Sequence, residues 1–185
     1  MKAQNKPLRF VISFLVLFLI FYYFNIFYFS LTSSGTHYYN AFLAHHLNYI
    51  QAFRWLLLFC TAHLLQFLGF DAIFNNYELL VAGHGSIQVT YTCLGLGILS
   101  FFTAFVLSYP KPLKSKVIIG VAGIVIIEFL NITRFMLLAL YGNKQINQFI
   151  DHHTLFNILI YLIISTGLYF WIKQDITVIN KHEKS

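Results

Sequence analysis

Charge is scarce in this sequence of 185 residues: Asp, Glu, Lys and Arg make up 10% of it, against 58% hydrophobic residues. A soluble domain of this length has too much surface for its volume to hide so much apolar material. With a mean hydropathy of +0.70, the chain calls for lipid as solvent. Cysteine is almost absent, and the two present, Cys60 and Cys93, do not make a disulfide framework. A basic stripe with interleaved aromatics is missing, so the net charge of +6 does not mark a nucleic-acid surface. No small-residue cleavage site follows the first apolar run, which reads as a retained anchor rather than a signal peptide. No internal repeat is visible, which argues against the usual inverted-repeat transporter.

What is present is a set of long apolar runs rich in Phe and Tyr, 21 and 12 residues, suited to helices that end in aromatic belts. Roughly 20 apolar residues cross a bilayer as a helix. Five stretches approach that length: 9–31, 47–70, 93–109, 117–141 and 155–173. The 47–70 run carries Asn48, Gln51, Arg54, His63 and Gln66 and is amphipathic. Nine of the twelve basic residues fall before the first run, between the third and fourth, or from Lys173 onward, and segments so marked are expected in the cytoplasm. Segments 33–46 and 71–92 hold no Lys or Arg, and 143–154 holds Lys144 alone, so these are expected outside. An internal N-terminus and an internal 111–116 loop require an even number of crossings between them. The amphipathic 47–70 helix is therefore expected at the outer interface, leaving four full spans. Five spans with an external N-terminus is the alternative. Within 71–92, Ile87, Val89 and Tyr91 alternate with polar residues, and Gly83-His84-Gly85-Ser86 separates them from Tyr77–Ala82. This predicts a β-hairpin leading into Cys93. The expected fold is thus an all-α membrane bundle of four to five transmembrane helices, a single domain over 1–185. Its parts are the anchor 9–31, the interfacial helix 47–70, the external hairpin 71–92, the helices of 93–173 that carry the chemistry, and a cytoplasmic tail 174–185.

Three features converge on the outer end of this topology. Cys93 starts the third span, where a helix N-terminus favours a thiolate. Arg134 lies in the outer half of the fourth span, and a cation inside an apolar helix costs about 2.5–3.5 kcal/mol on insertion scales, so a function is its default reading. His152 and His153 stand just before the fifth span and can exchange protons near neutral pH. Thiol, guanidinium and imidazole together suit acyl transfer through a thioester. Asn131, one helical turn before Arg134, is placed to orient the guanidinium. Glu128, deeper in the same helix, is either neutral or paired with a buried partner such as Arg54. Cys60 reads as a small buried hydrophobe. His84 reads as a turn residue, and His37, His45 and His46 are weak candidates for a metal site.

At these residues the sequence resembles the exosortase/archaeosortase family of membrane transpeptidases, over about residues 47–170. The likeness rests on Thr92-Cys93-Leu94-Gly95-Leu96, on Asn131-Ile132-Thr133-Arg134 as the family's Asn-x-x-Arg pattern, and on a histidine before the last helix. It implies that Cys93 is the nucleophile, Arg134 the stabiliser of substrate or transition state, and a histidine the general acid/base, with Asn131 and Gly95 in support. The family's histidine is commonly followed four residues later by Gly. Here Asn157 follows His153 and Phe156 follows His152, which favours His153 over His152. The implied substrate is an exported protein with a C-terminal sorting tail (recognition motif, membrane helix, basic end), processed at the outer face of the cytoplasmic membrane. The resemblance also implies a short, single-core-domain member that works without cofactor or metal; the placement of the basic residues at the ends of apolar runs leaves no nucleic-acid partner. A different class of reading is a non-catalytic membrane helper that binds a cofactor or partner helix through its His-rich outer loops. A metalloprotease of the prenyl-protein peptidase type would need paired glutamates and a second histidine motif, and both are missing.

Overall fold

The computed structural model describes the backbone of residues 5–142 and 152–182, with side chains over 7–142 and 158–173. Six α-helices, a single 3-10 turn and three short strands follow one another among the described residues: α1 Asn5–Thr32, α2 Ala41–His46, α3 Tyr49–Phe67, β1 Ala72–Phe74, β2 Glu78–Val81, β3 Gly85–Gln88, the 3-10 turn Tyr91–Leu94, α4 Leu96–Ser108, α5 Leu113–Tyr141 and α6 His152–His182.

Between Phe10 and Thr32, α1 has no Gly or Pro to break it. None of its most apolar window is buried within the chain, as suits a helix that turns nearly all its surface to lipid. Its contacts run along α4 in reverse order. Phe10 meets Phe105 at 5.4 Å and Tyr109 at 5.6 Å, Phe14 meets Phe101 at 5.3 Å, and Phe29 meets Tyr91 at 4.5 Å between ring centroids. The two helices are therefore antiparallel, joined by edge-to-face aromatic packing. Asn25 adds a polar tie among three helices. Its Nδ2 donates to Ser100 Oγ at 3.1 Å, and Tyr49 donates its hydroxyl to Asn25 Oδ1 at 2.6 Å. α4 stops at Ser108 because Tyr109 precedes Pro110 and takes extended backbone angles. α5 then runs back beside α4, and α6 returns: Ile160 lies near Asn131 and Arg134, while Trp171 Nε1 donates to Ser115 Oγ at 2.9 Å near the start of α5.

Since α1 and α4 are antiparallel neighbours, segment 33–90 leaves and re-enters the bundle at one end. α3 starts there, beside Tyr28 and Asn25. Its far end is tied to the same end of the bundle. Gln66 Nε2 donates to Ala72 O at 2.8 Å, Ala82 N to Asp71 O at 2.9 Å, and a ring nitrogen of His84 lies 3.3 Å from Leu140 O in the last turn of α5. By length and hydropathy Ala41–Phe67 is one of four segments able to cross a membrane, with Pro7–Thr32, Tyr91–Ser108 and Leu113–Tyr141. Its contacts nevertheless place both its ends at the same end of the bundle.

The hairpin is present, and it is one part of an antiparallel sheet of order β1-β2-β3. Val81 pairs with Gly85 and Leu79 with Ile87. The turn is tighter than Gly83–Ser86: Gly83 takes φ +75, and His84 N donates to Val81 O at 3.1 Å. β1 has no sequence signature, because three residues carry no period. Phe74 holds it against Trp55 and Phe59 of α3. Leu79 and Val81 face inward and join Leu57, Leu58, Leu65, Leu94 and Phe135 in the core at this end.

Candidate functional site

Cys93 does not open α4. It sits in the 3-10 turn before it, and the chain enters α4 through Gly95, whose φ of +70 is left-handed. Two features explain this departure from the expected helix start. Leu94 is completely buried in the core, and a left-handed residue at 95 is needed to turn the chain into α4. The half-buried thiol is held by its own turn: Cys93 N donates to Thr90 O at 3.1 Å, and Thr90 Oγ1 lies 3.4 Å from Cys93 Sγ. With the 3-10 turn before it and α4 behind Gly95, the α-helix dipole is a weaker influence on the sulfur than the sequence implied.

Arg134 meets Cys93 through the backbone. Its Nη2 donates to Cys93 O at 2.6 Å, a short charge-assisted bond between α5 and the 3-10 turn. The guanidinium is buried, as are Asn131 and Ile127 on the same helix. Asn131 Nδ2 donates to Glu128 Oε2 at 3.5 Å and approaches the α-carbon side of Gly95, where an added Cβ would stand 3.6 Å from it. The amide nitrogen thus sits between the acid and the glycine turn, and its bond goes to the acid rather than to the guanidinium. Glu128 Oε2 takes a long bond from Asn131 and the acid lies within electrostatic range of Arg134, while its Oε1 is buried without a hydrogen-bond partner.

Arg54 is the residue that sequence reasoning undervalued. It is buried in the second turn of α3, its guanidinium lies over the Tyr77 ring at 4.8 Å, and it is within electrostatic range of Cys93, as Arg134 is from the other side. The signal was available: the cost argument that singled out Arg134 applies equally to an arginine within the apolar 47–70 run. Residues on either side of Cys93 in the chain line two cavities, Thr90 and Tyr91 the first, Thr92 and Gly95 the second. One, of about 280 Å³, is lined by Arg54, Tyr77, Gln51, Gln88 and Thr90 among others. The second, of about 170 Å³, is lined by Thr92, Gly95, Asn131, Arg134 and Ile160.

His152 and His153 fall in the first turn of α6, and their side chains lie outside the described residues. Seven residues, about two turns, separate His153 from Ile160 in the wall of the smaller cavity. Cys60 is a half-buried free thiol in α3. Among the described residues no three His, Cys, Asp or Glu side chains are grouped so as to hold a metal, and His84 is a turn residue that contacts Leu140 O and the Phe70 ring.

No curated protein and no solved structure matches the chain. The sequence model of the transmembrane exosortase family matches residues 6–170, which takes in α1, the sheet, both cavities and most of α6. With nearly its whole length matched and its helices long and apolar enough to cross a bilayer several times, this multi-pass membrane protein belongs to the transmembrane exosortase family.

Proposed function

We propose that the chain is a membrane cysteine transpeptidase or protease that processes the C-terminal sorting signals of exported proteins at the outer face of the cytoplasmic membrane. The observation that carries this reading is the Arg134–Cys93 bond, which fixes a guanidinium to the backbone of a half-buried cysteine whose turn neighbours, Thr90 and Thr92, line two cavities. In the proposed reaction the Cys93 thiolate attacks the carbonyl carbon of the scissile amide. The tetrahedral oxyanion develops next to Arg134, a permanent cation that needs no reorganisation to stabilise it. Collapse breaks the C–N bond, and the leaving amine takes a proton from a general acid, a role assigned to His153 with His152 as alternate. The resulting thioester passes its acyl group to an acceptor amine in transpeptidation, or to water in hydrolysis, and the thiol is regenerated. In support, Gly95 shapes the turn after Cys93, and Asn131 holds Glu128 within electrostatic range of Arg134.

The outer location is supported by charge. Lys111, Lys114 and Lys116 lie at the end of the bundle opposite the sheet, as does the start of α1 with Arg9. Basic ends face the cytoplasm, so the sheet, α3 and the thiol face out, with α3 at the interface. The substrate is an exported chain whose tail carries a recognition motif, a membrane helix and a basic end.

Substitution tests the reading. In cells, Cys93→Ala and Cys93→Ser should leave tail-bearing surface proteins unprocessed, seen as intact C-terminal peptides by mass spectrometry. Cys60→Ala should process normally. Normal processing in Cys93→Ala would reject the proposal.

A further inference from the structure

Arg54 has no assigned role in the reaction above, yet it is 6% exposed and its Nε is buried without a hydrogen-bond partner. A guanidinium offers five donors in a rigid fork and stays charged, so one left with an unused edge in a low-dielectric wall is an incomplete site. The larger cavity supplies the space. Its described lining contains Arg54 as the sole charged residue, with amides and hydroxyls from Asn48, Gln51, Gln88, Thr32 and Thr90 around it. Glu128, the carboxylate deeper in the bundle, is engaged with Asn131 and lies near Arg134 at the other cavity. Tyr77 lies under one face of the guanidinium and also engages it through its hydroxyl, while Nε remains as a buried donor without a partner. Thr90 lines this cavity and also touches Cys93 Sγ, so a group held by Arg54 would lie beside the reacting thiol.

We propose that the larger cavity is a carboxylate-binding subsite, in which Arg54 holds an acidic side chain of the exported substrate close to the bond that Cys93 attacks. A single fork-shaped cation among neutral donors matches the single charge and two oxygens of a carboxylate. A phosphate would call for further cations, and no lysine lines the cavity. The proposal rests on Cys93 being the reacting thiol.

The test uses the full chain with Cys60→Ala, so that Cys93 is the one thiol, in phosphatidylcholine nanodiscs. The rate of Cys93 modification is measured with 2-carboxyethyl methanethiosulfonate and with its neutral methyl analogue. Arg54→Gln should lower the carboxylate-to-neutral rate ratio roughly tenfold, the scale of one charge-assisted pair. Arg54→Lys, which keeps charge and loses the fork, should lower it less but measurably, and it decides alone if Arg54→Gln does not accumulate. Acetate should depress the ratio in the unsubstituted Arg54 protein. An unchanged ratio in the variants would overturn the proposal. Equal slowing of both reagents would also overturn it and assign Arg54 to the thiolate. Depression of the ratio by inorganic phosphate where acetate has no effect would replace the carboxylate with a phosphate or lipid headgroup. The probes react whether or not any protein is processed, so failure here is distinct from normal processing in Cys93→Ala.

Discussion

At the scale of single residues, the site depends on where one backbone turn puts a carbonyl. Gly95 holds φ +70, the left-handed step that joins α4 to the 3-10 turn whose Cys93 O is bonded to the Arg134 guanidinium. An alanine Cβ at 95 would stand 3.6 Å from Asn131 Nδ2, an ordinary contact, so crowding is not the cost. The cost is the backbone conformation, about 1–2 kcal/mol for a residue with a Cβ in the left-handed region. Gly95→Ala is expected to lower the thermal unfolding midpoint in detergent micelles and to reduce processing. Gly95→Asn, which tolerates that region better, should fall between it and wild type. Gly97→Ala is the control: its Cβ would meet only the Tyr22 ring at 3.7 Å, on helical backbone. Equal midpoints for Gly95→Ala and Gly97→Ala would count against this account.

At the scale of elements, α4 and α5 approach closely because one face of α5 lacks a side chain. A Cβ at Gly123 would lie 2.0 Å from Phe102 Cζ, inside a buried cluster of Ile98, Phe102, Val106, Ile127 and residues of α6. Phe102 has little room to move there, since it is 3% exposed. Overpacking a filled core typically costs about 1–3 kcal/mol. Gly123→Ala should therefore destabilise the folded protein and weaken processing, by shifting α5 and with it Arg134. Gly120→Ala, with nothing within 4 Å, should be neutral in the same unfolding assay. Adding Phe102→Leu to Gly123→Ala should recover part of the loss, and no recovery would point away from this contact. The sheet follows similar logic: Phe74 packing on Trp55 and Phe59 makes a strand of a segment whose sequence has no alternation to read.

At the scale of the whole molecule, the antiparallel pairing of α1 and α4 governs topology. It returns the chain to one end after residue 32, and α3 and the sheet are tied to that end from Tyr49 to Leu140. Under the proposed orientation, single cysteines introduced into a Cys60→Ala, Cys93→Ala background separate into two groups. Tyr38→Cys and Ser86→Cys should react with a membrane-impermeant maleimide added to intact cells. Lys114→Cys should react only after permeabilisation. Labelling of Lys114→Cys in intact cells would invert the orientation, and the candidate site would then face the cytoplasm.

Composition alone dictated that this chain lives in lipid, because its apolar surface is too large for a domain of 185 residues to bury in water. Basic residues at the ends of apolar runs marked which ends belong together, since charge resists crossing a bilayer. Period-two alternation exposed the hairpin, and the motifs around Cys93 and Arg134 pointed to the pair. Other facts required distant segments to meet. Arg54 and Cys93 are far apart in sequence, and nothing local says that α3 folds its arginine toward the thiol. The 3-10 turn at Cys93 follows from burying Leu94, a tertiary contact that outweighs local helix preference. Packing between elements decided these features, and packing has no signature within any one of them.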